Sequence, residues 1–314
     1  MRNLVKKTLE KISRINRYSP AHHAVDADCQ HAIEQLRERG FVVLDHLVGT
    51  PAFKKLQQEI VNRIEHKIDL SFPCLAQSKI DPEKHHDLIE KSFLAQPSAL
   101  AASGLTFDRN DVKSYQQMVK DYNPSTLTVP MVSDRHFYDC WLDDKVMAVI
   151  EGYMGFVPEL TEAYVRRNFP AQFRVMNHNW HRDTNHPDFL VKAFVFFTDC
   201  DLETGAHHYI AGSIQDRRFR DKVYYSDDEI HSVWPLDAED HITSTVPAGT
   251  IIIEDTRGLH KAGIPKKAFR DLGYAVFTPP NYFRPNKSYY KINKDVYQSL
   301  SFKQQRYIPS ANIS

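Results

Sequence analysis

Two hydrophobic patterns divide this chain at about residue 157. Upstream the periodicity is helical. Residues 27–39 are amphipathic and stop at Gly40, a residue suited to closing a helix. Phe41-Val42-Val43-Leu44 is apolar and β-branched and predicts a short strand. Over 53–68, Phe53, Leu56, Ile60 and Ile64 recur at helical spacing, and a further helix is expected over 141–153, closed by Gly155. Leu4, Val5, Leu9, Ile12 and Ile15 share one face of a basic N-terminal helical segment. Between 71 and 111, Pro73, Pro82 and Pro97 interrupt any period, and the stretch reads as loops that can cover a site.

Downstream, short β-rich runs alternate with turn residues. Strands are expected over 160–168, 173–180, 190–198, 207–211, 242–246, 250–254 and 272–278, punctuated by Gly205, Gly212, Gly249 and Gly263. This spacing predicts a sandwich, barrel or jelly roll with helical decoration. A parallel α/β fold is disfavoured, because no regular helix separates the strands. The segment 215–239 reads as a long excursion between strands and a second candidate lid, and the tail after Pro285 as a surface wrap. The whole is read as one domain. It has a helical segment over 1–39, a main body over 40–285 and a tail over 286–314.

Composition narrows the function classes. Lys+Arg and Asp+Glu both number 40, so the net charge is zero and no nucleic-acid or anionic-surface partner is suggested. Cys29, Cys74, Cys140 and Cys200 form no CxxC pair, which argues against a zinc ribbon and a disulfide framework. A reducing, cytoplasmic setting is the expectation. No apolar run approaches the length of a membrane span. The acid-poor N-terminus, with Arg2, Arg14 and Arg17, leaves a targeting role open beside that of a packed helix.

The chemistry gathers at His181-Arg182-Asp183 and, far downstream, His260. In an extended segment residues i and i+2 point to one side, so His181 and Asp183 can converge on one metal while Arg182 points away. His260 follows an apolar strand and can complete a two-histidine, one-carboxylate set, which leaves open positions on a non-haem Fe(II). Arg270 begins the next predicted strand, where an antiparallel partner can bring it near His260, and a guanidinium fork suits the far carboxylate of a 2-oxo acid. O₂ would take a remaining position. His231 and His241 are rival distal ligands, but no arginine opens a clear strand after either. The HRD string is not a kinase loop, since position 188 is Asp188 where that loop requires Asn.

These motifs resemble the phytanoyl-CoA dioxygenase family of Fe(II)/2-oxoglutarate-dependent oxygenases over roughly residues 40–280. The resemblance rests on Gly40–Leu44, on Trp180-His181-Arg182-Asp183, on VKAFVFFTDCDLETGAHHYIAGS, and on VPAGTIIIEDTRGLHKAG with Arg270 after it. It implies a double-stranded β-helix (jelly-roll, cupin-like) core with Fe(II) on His181, Asp183 and His260, and Arg270 as the 2-oxoglutarate anchor. It implies hydroxylation of an unactivated C–H bond in a small organic molecule, with release of succinate and CO₂. The carboxylate at Asp183 favours hydroxylation over halogenation, which uses a small residue there. Two departures stand out. The family's PGSH box is here Ala211-Gly212-Ser213-Ile214, and Ala262 stands where relatives carry a hydroxyl. Asn177, Asn179 and Thr198 are therefore candidate further donors to the co-substrate. Two other classes remain open: a metal jelly-roll enzyme that does not need 2-oxoglutarate, and a non-catalytic binding protein on the same fold.

Overall fold

The computed structural model describes residues 20–21, 23–66, 81, 83–84, 126–129, 134–171, 174, 176–184, 189–282 and 290–314. The expected helix at 4–15 and nearly all of the proline-broken stretch 71–111 lie outside the described residues.

Helix α1 (Ala27–Arg39) starts where the Asp26 carboxylate accepts a hydrogen bond from the Cys29 N–H, a cap that typically contributes about 1 kcal/mol. It ends at Gly40, whose φ is 83°. A Cβ there would sit 2.2 Å from the Tyr209 hydroxyl, so both backbone conformation and packing demand glycine. The chain turns directly into β1 (Phe41–Leu44), then α2 (Pro51–His66). Strand β2 (Thr126–Val129) precedes α3 (Arg135–Trp141) and α4 (Asp144–Met154). The helix expected over 141–153 is α4, closed by Gly155 as expected but starting at Asp144, because Asp143 caps it through the N–H groups of Lys145 and Val146.

The remaining strands are β3 (Glu159–Asn168), β4 (Trp180–His181), β5 (Val191–Phe196), β6 (His208–Ile210), β7 (Tyr224–Tyr225), β8 (His241–Thr243), β9 (Ile251–Asp255), β10 (His260–Lys261) and β11 (Arg270–Thr278). They form two antiparallel sheets, ordered β1-β9-β5-β11-β3-β2 and β7-β4-β10-β6-β8. The protein is therefore mainly β, a jelly roll with helical decoration.

Alternation along the larger sheet divides its faces. Val191, Ala193, Val195, Ile251, Ile253 and Ala275 pack into one core with the helices, while Phe194, Phe196 and Ile252 belong to a separate cluster on the other face. No helix among the described residues is long and apolar enough to cross a membrane.

Three expectations give way. The strand expected over 173–180 is instead a 3-10 turn, Met176–His178, leading into the two-residue β4. Its carbonyls serve the loops beside it: Asn177 O accepts from the Ala262 N–H. The segment 215–239 is not a free excursion, because β7 pairs with β4 and a short helix, α5 (Asp227–His231), follows. The tail is not a surface wrap either. Ile292, Leu300 and Tyr307 are buried in the main core, and the Leu160 N–H donates to Tyr307 O at 2.7 Å.

Candidate active site

His181 and His260 face each other as a cross-strand pair between β4 and β10, ring centroids 4.3 Å apart. Each ring is oriented by its own chain. The His181 Nδ1 bonds to Asn179 O at 2.9 Å, and the His260 Nδ1 bonds to Gly258 O at 3.0 Å. A carbonyl only accepts, so both Nδ1 atoms carry the proton and both Nε2 lone pairs are left for a metal. Asp183 follows β4 and is held by its N–H on Thr256 O. Its carboxylate lies 3.7 Å from His181 Nε2 and 3.6 Å from His260 Nε2, and one ligand atom from each of the three residues falls within 4.8 Å of the others. The donor set, one carboxylate and two imidazoles on one side, fits an Fe(II) facial triad.

Electrostatics keep the triad ready for a cation. Burial opposes ionisation of Asp183, but the Lys192 ammonium beside it outweighs that and holds the carboxyl well below the usual range. Burial, with His181 beside it, pushes His260 well below the ordinary imidazole value, so the ring stays neutral. Burial likewise brings His207 down to about 3 and pushes the Glu254 carboxyl up; the two meet at 2.9 Å behind the triad.

The triad opens into a cavity of about 260 Å³ between the sheets. Arg270 lines it from the first residue of β11, only 2% exposed. One guanidinium nitrogen donates to Gly205 O, while Nε has no partner and no carboxylate among the described residues pairs with the group. A buried guanidinium without an anion is costly, and an anionic ligand would meet that need. Arg270 does not reach His260 as a neighbouring strand. The two lie in different sheets, since β10 pairs with β4 and β6 while β11 pairs with β3 and β5. They converge across the sandwich instead.

The three further donor candidates separate. Asn177 lines the cavity, and its buried Oδ1 has no partner among the described residues. Asn179 is not among the lining residues; its carbonyl orients His181. Thr198 is absent from the lining too, because its hydroxyl accepts from the Asp271 N–H. The parity argument for the two asparagines fails because the segment is a 3-10 turn. His241 bonds to Trp234 O and His208, on the far side of the smaller sheet's Trp180 cluster.

Further residues shape the site, and Lys192 among them was missed from the sequence. Lys192 projects from β5 to place its ammonium 2.5 Å from Asp183 Oδ2. A lone charge inside the apolar run 189–198 was the available signal. Tyr164 and Tyr274, stacked at 4.8 Å and 13°, form an aromatic wall with Phe194 edge-on to Tyr274. The altered PGSH box has a supporting task. Ser213 Oγ accepts from the Leu259 N–H next to His260, and Ser213 O accepts from Arg182, which lies between His181 and Asp183.

The model of the phytanoyl-CoA dioxygenase (PhyH) family matches residues 36–265, nearly three quarters of the chain. The chain belongs to the phytanoyl-CoA dioxygenase family. The matched stretch contains His181, Asp183 and His260; Arg270 lies just beyond it. Similar solved structures include the non-haem α-ketoglutarate-dependent epimerase SnoN from nogalamycin biosynthesis, at 13% identity and TM-score 0.51, covering 81% of this chain and 84% of that one. SnoN in complex with Fe³⁺, α-ketoglutarate and nogalamycin RO aligns over the same shares at 13% identity and TM-score 0.50. EctD from S. alaskensis with 2-oxoglutarate and 5-hydroxyectoine is 14% identical, covers 83% of each chain, and has a TM-score of 0.49. At this identity the likeness to SnoN is one of fold. No curated protein sequence matches the chain.

Proposed function

We propose that this phytanoyl-CoA dioxygenase-family protein is an Fe(II)/2-oxoglutarate-dependent dioxygenase that hydroxylates an unactivated C–H bond of a small organic molecule, releasing succinate and CO₂. The observation that carries the reading is the convergence, in one cavity, of the His181–Asp183–His260 set and the buried guanidinium of Arg270, which pairs with no carboxylate among the described residues. Fe(II), when bound, supplies open positions at which 2-oxoglutarate and O₂ react, the oxidative decarboxylation providing the oxidising power.

The chain's own residues do the rest. His181 and His260 present lone pairs from rings fixed by Asn179 O and Gly258 O. Arg270 binds the distal carboxylate of the co-substrate, and Asn177 offers an adjacent amide. The Tyr164–Tyr274 wall and Phe194 receive the carbon skeleton of the substrate and keep water from its reacting C–H bond. SnoN is an epimerase on the same fold, so the outcome at the C–H bond is a separate question from the site.

The test is an anaerobic titration of the purified protein with Fe(II) and 2-oxoglutarate, following the visible charge-transfer band of the chelate. A band in the wild type, lost in Asp183→Ala and weakened in Arg270→Ala, is the expected result. Bound iron without a band would replace the reading with a 2-oxoglutarate-independent metal enzyme. Failure to bind iron would leave a binding protein. With a turned-over substrate, a product heavier by one oxygen supports hydroxylation, and one of unchanged mass refutes it.

A further inference from the structure

Lys192 is a charged residue buried in a strand whose other side chains are apolar, and the proposed chemistry gives it no contact with co-substrate or substrate. Its ammonium sits 2.5 Å from Asp183 Oδ2 and 5.0 Å from the centroid of the Tyr274 ring. Its cross-strand neighbour is Glu254, but the Glu254 carboxyl is taken by His207 at 2.9 Å. Among the described residues, Asp183 is the one carboxylate in ion-pair contact with Lys192. Arg270, the first residue of β11, approaches the cavity from six residues before Val276, the residue opposite Lys192. The two cations therefore enter the cavity from different rows of the sheet, and only Lys192 touches the triad.

A divalent ion on two neutral imidazoles and one carboxylate carries a net charge of about +1, and an ammonium fixed on that carboxylate raises the local charge to about +2. Burial makes this charge felt strongly. It opposes the cation and favours any anion that joins it.

We propose that Lys192 is a positioning and charge-setting residue of the metal centre: tethered to Asp183, it loosens the site's hold on the metal ion and tightens its hold on an anionic co-substrate. The inference rests on the metal and 2-oxoglutarate assignment above. It implies a site that takes its metal reversibly and is completed by the dianion.

The test uses Co(II), which supports binding without turnover. Wild type, Lys192→Met and Lys192→Arg are compared by two constants: Co(II) affinity from chelator competition, and 2-oxoglutarate affinity for the Co(II)-loaded protein from calorimetry. Lys192→Met is expected to bind Co(II) roughly tenfold tighter and 2-oxoglutarate roughly tenfold more weakly, the scale of one nearby charge after screening. Lys192→Arg, keeping the charge, should stay within about threefold of wild type on both. The opposed movement is the signature, because mere structural damage weakens both. Two weakened constants in Lys192→Met, or two unchanged ones, overturn the inference alone. A wild type that binds neither Co(II) nor 2-oxoglutarate removes the underlying assignment as well.

Discussion

Replacing Arg167 tests how the fold holds the co-substrate end of the site. Arg167 on β3 and Asp271 on β11 are directly opposed across the ladder and joined by two hydrogen bonds, Nε to Oδ1 at 2.8 Å and Nη2 to Oδ2 at 2.7 Å. Their side chains are only 6% and 3% exposed. Arg167→Met keeps most of the stem's volume but leaves Asp271 as a buried carboxylate with no counter-ion. Loss of one partner of such a pair costs about 3–5 kcal/mol, which for a chain of this size lowers Tm by roughly 5–10 °C. The pH dependence follows from Asp271. Burial already raises its pKa, with Arg167 opposing, and removal of Arg167 raises it further. A carboxyl raised in the folded state contributes stability below the unfolded value of about 3.9 and loses it as pH rises through the folded value. The variant's deficit should therefore be small near pH 4 and grow toward neutrality. Thermal denaturation of wild type and variant across pH 4–8 measures it. Arg167→Met/Asp271→Leu, which removes both charges, should recover most of the loss. A single variant within 2 °C of wild type at neutral pH, or a double variant no better than the single, would refute the reasoning.

Other expectations follow from the same geometry. Arg270→Ala should weaken 2-oxoglutarate binding to the Ni(II)-loaded protein by about 100-fold, the value of a desolvated charge-assisted pair, and leave Ni(II) affinity nearly unchanged; calorimetry separates the two. Gly40→Ala should destabilise the protein by roughly 2–4 kcal/mol in urea, from its positive φ and the contact with the Tyr209 hydroxyl, and unchanged stability would contradict both causes. Ser213→Ala strands the Leu259 N–H and should cost about 1–3 kcal/mol, with weaker metal binding because Leu259 precedes His260. Because burial holds His260 neutral, its ring resonances in the metal-free protein, followed by NMR, should not titrate as pH falls through 6.5; a midpoint at 6.5 would place His260 in solvent.

Much of this architecture is written locally in the chain. Residues 27–39 pair an amphipathic period with Asp26 and Gly40 at its ends, so α1 was legible to the residue. The long strands β3, β5, β9 and β11 declare themselves by alternation or by continuous apolar character. The nearness of His181 to Asp183 was legible because it needs only local geometry. What escaped depends on contacts distant in sequence. β7 is a strand only because β4 lies beside it, and the tail is buried only because Leu160 and Glu151 receive Tyr307. Arg270 and His260 meet across two sheets, which no register argument along one strand can foresee. Thr198 sits close to the right sequence neighbours yet spends its hydroxyl on Asp271, a choice fixed by the ladder between β5 and β11.

The two sheets differ in the length of their strands. In the larger one, β3 runs for ten residues and β11 for nine, whereas β4, β7 and β10, which carry or flank the two histidines, have two each. So few ladder bonds close cheaply and open cheaply. The ion would bridge β4 to β10 and act as a rivet on the weaker half of the sandwich, coupling metal occupancy to local order. Stripping the metal should let amides around Trp180, His181 and His260 exchange with deuterium long before those of β5 and β9 do. Under heat or chelation, the protein would then fail first by local fraying of β4 and β10, with the helix-backed sheet still intact.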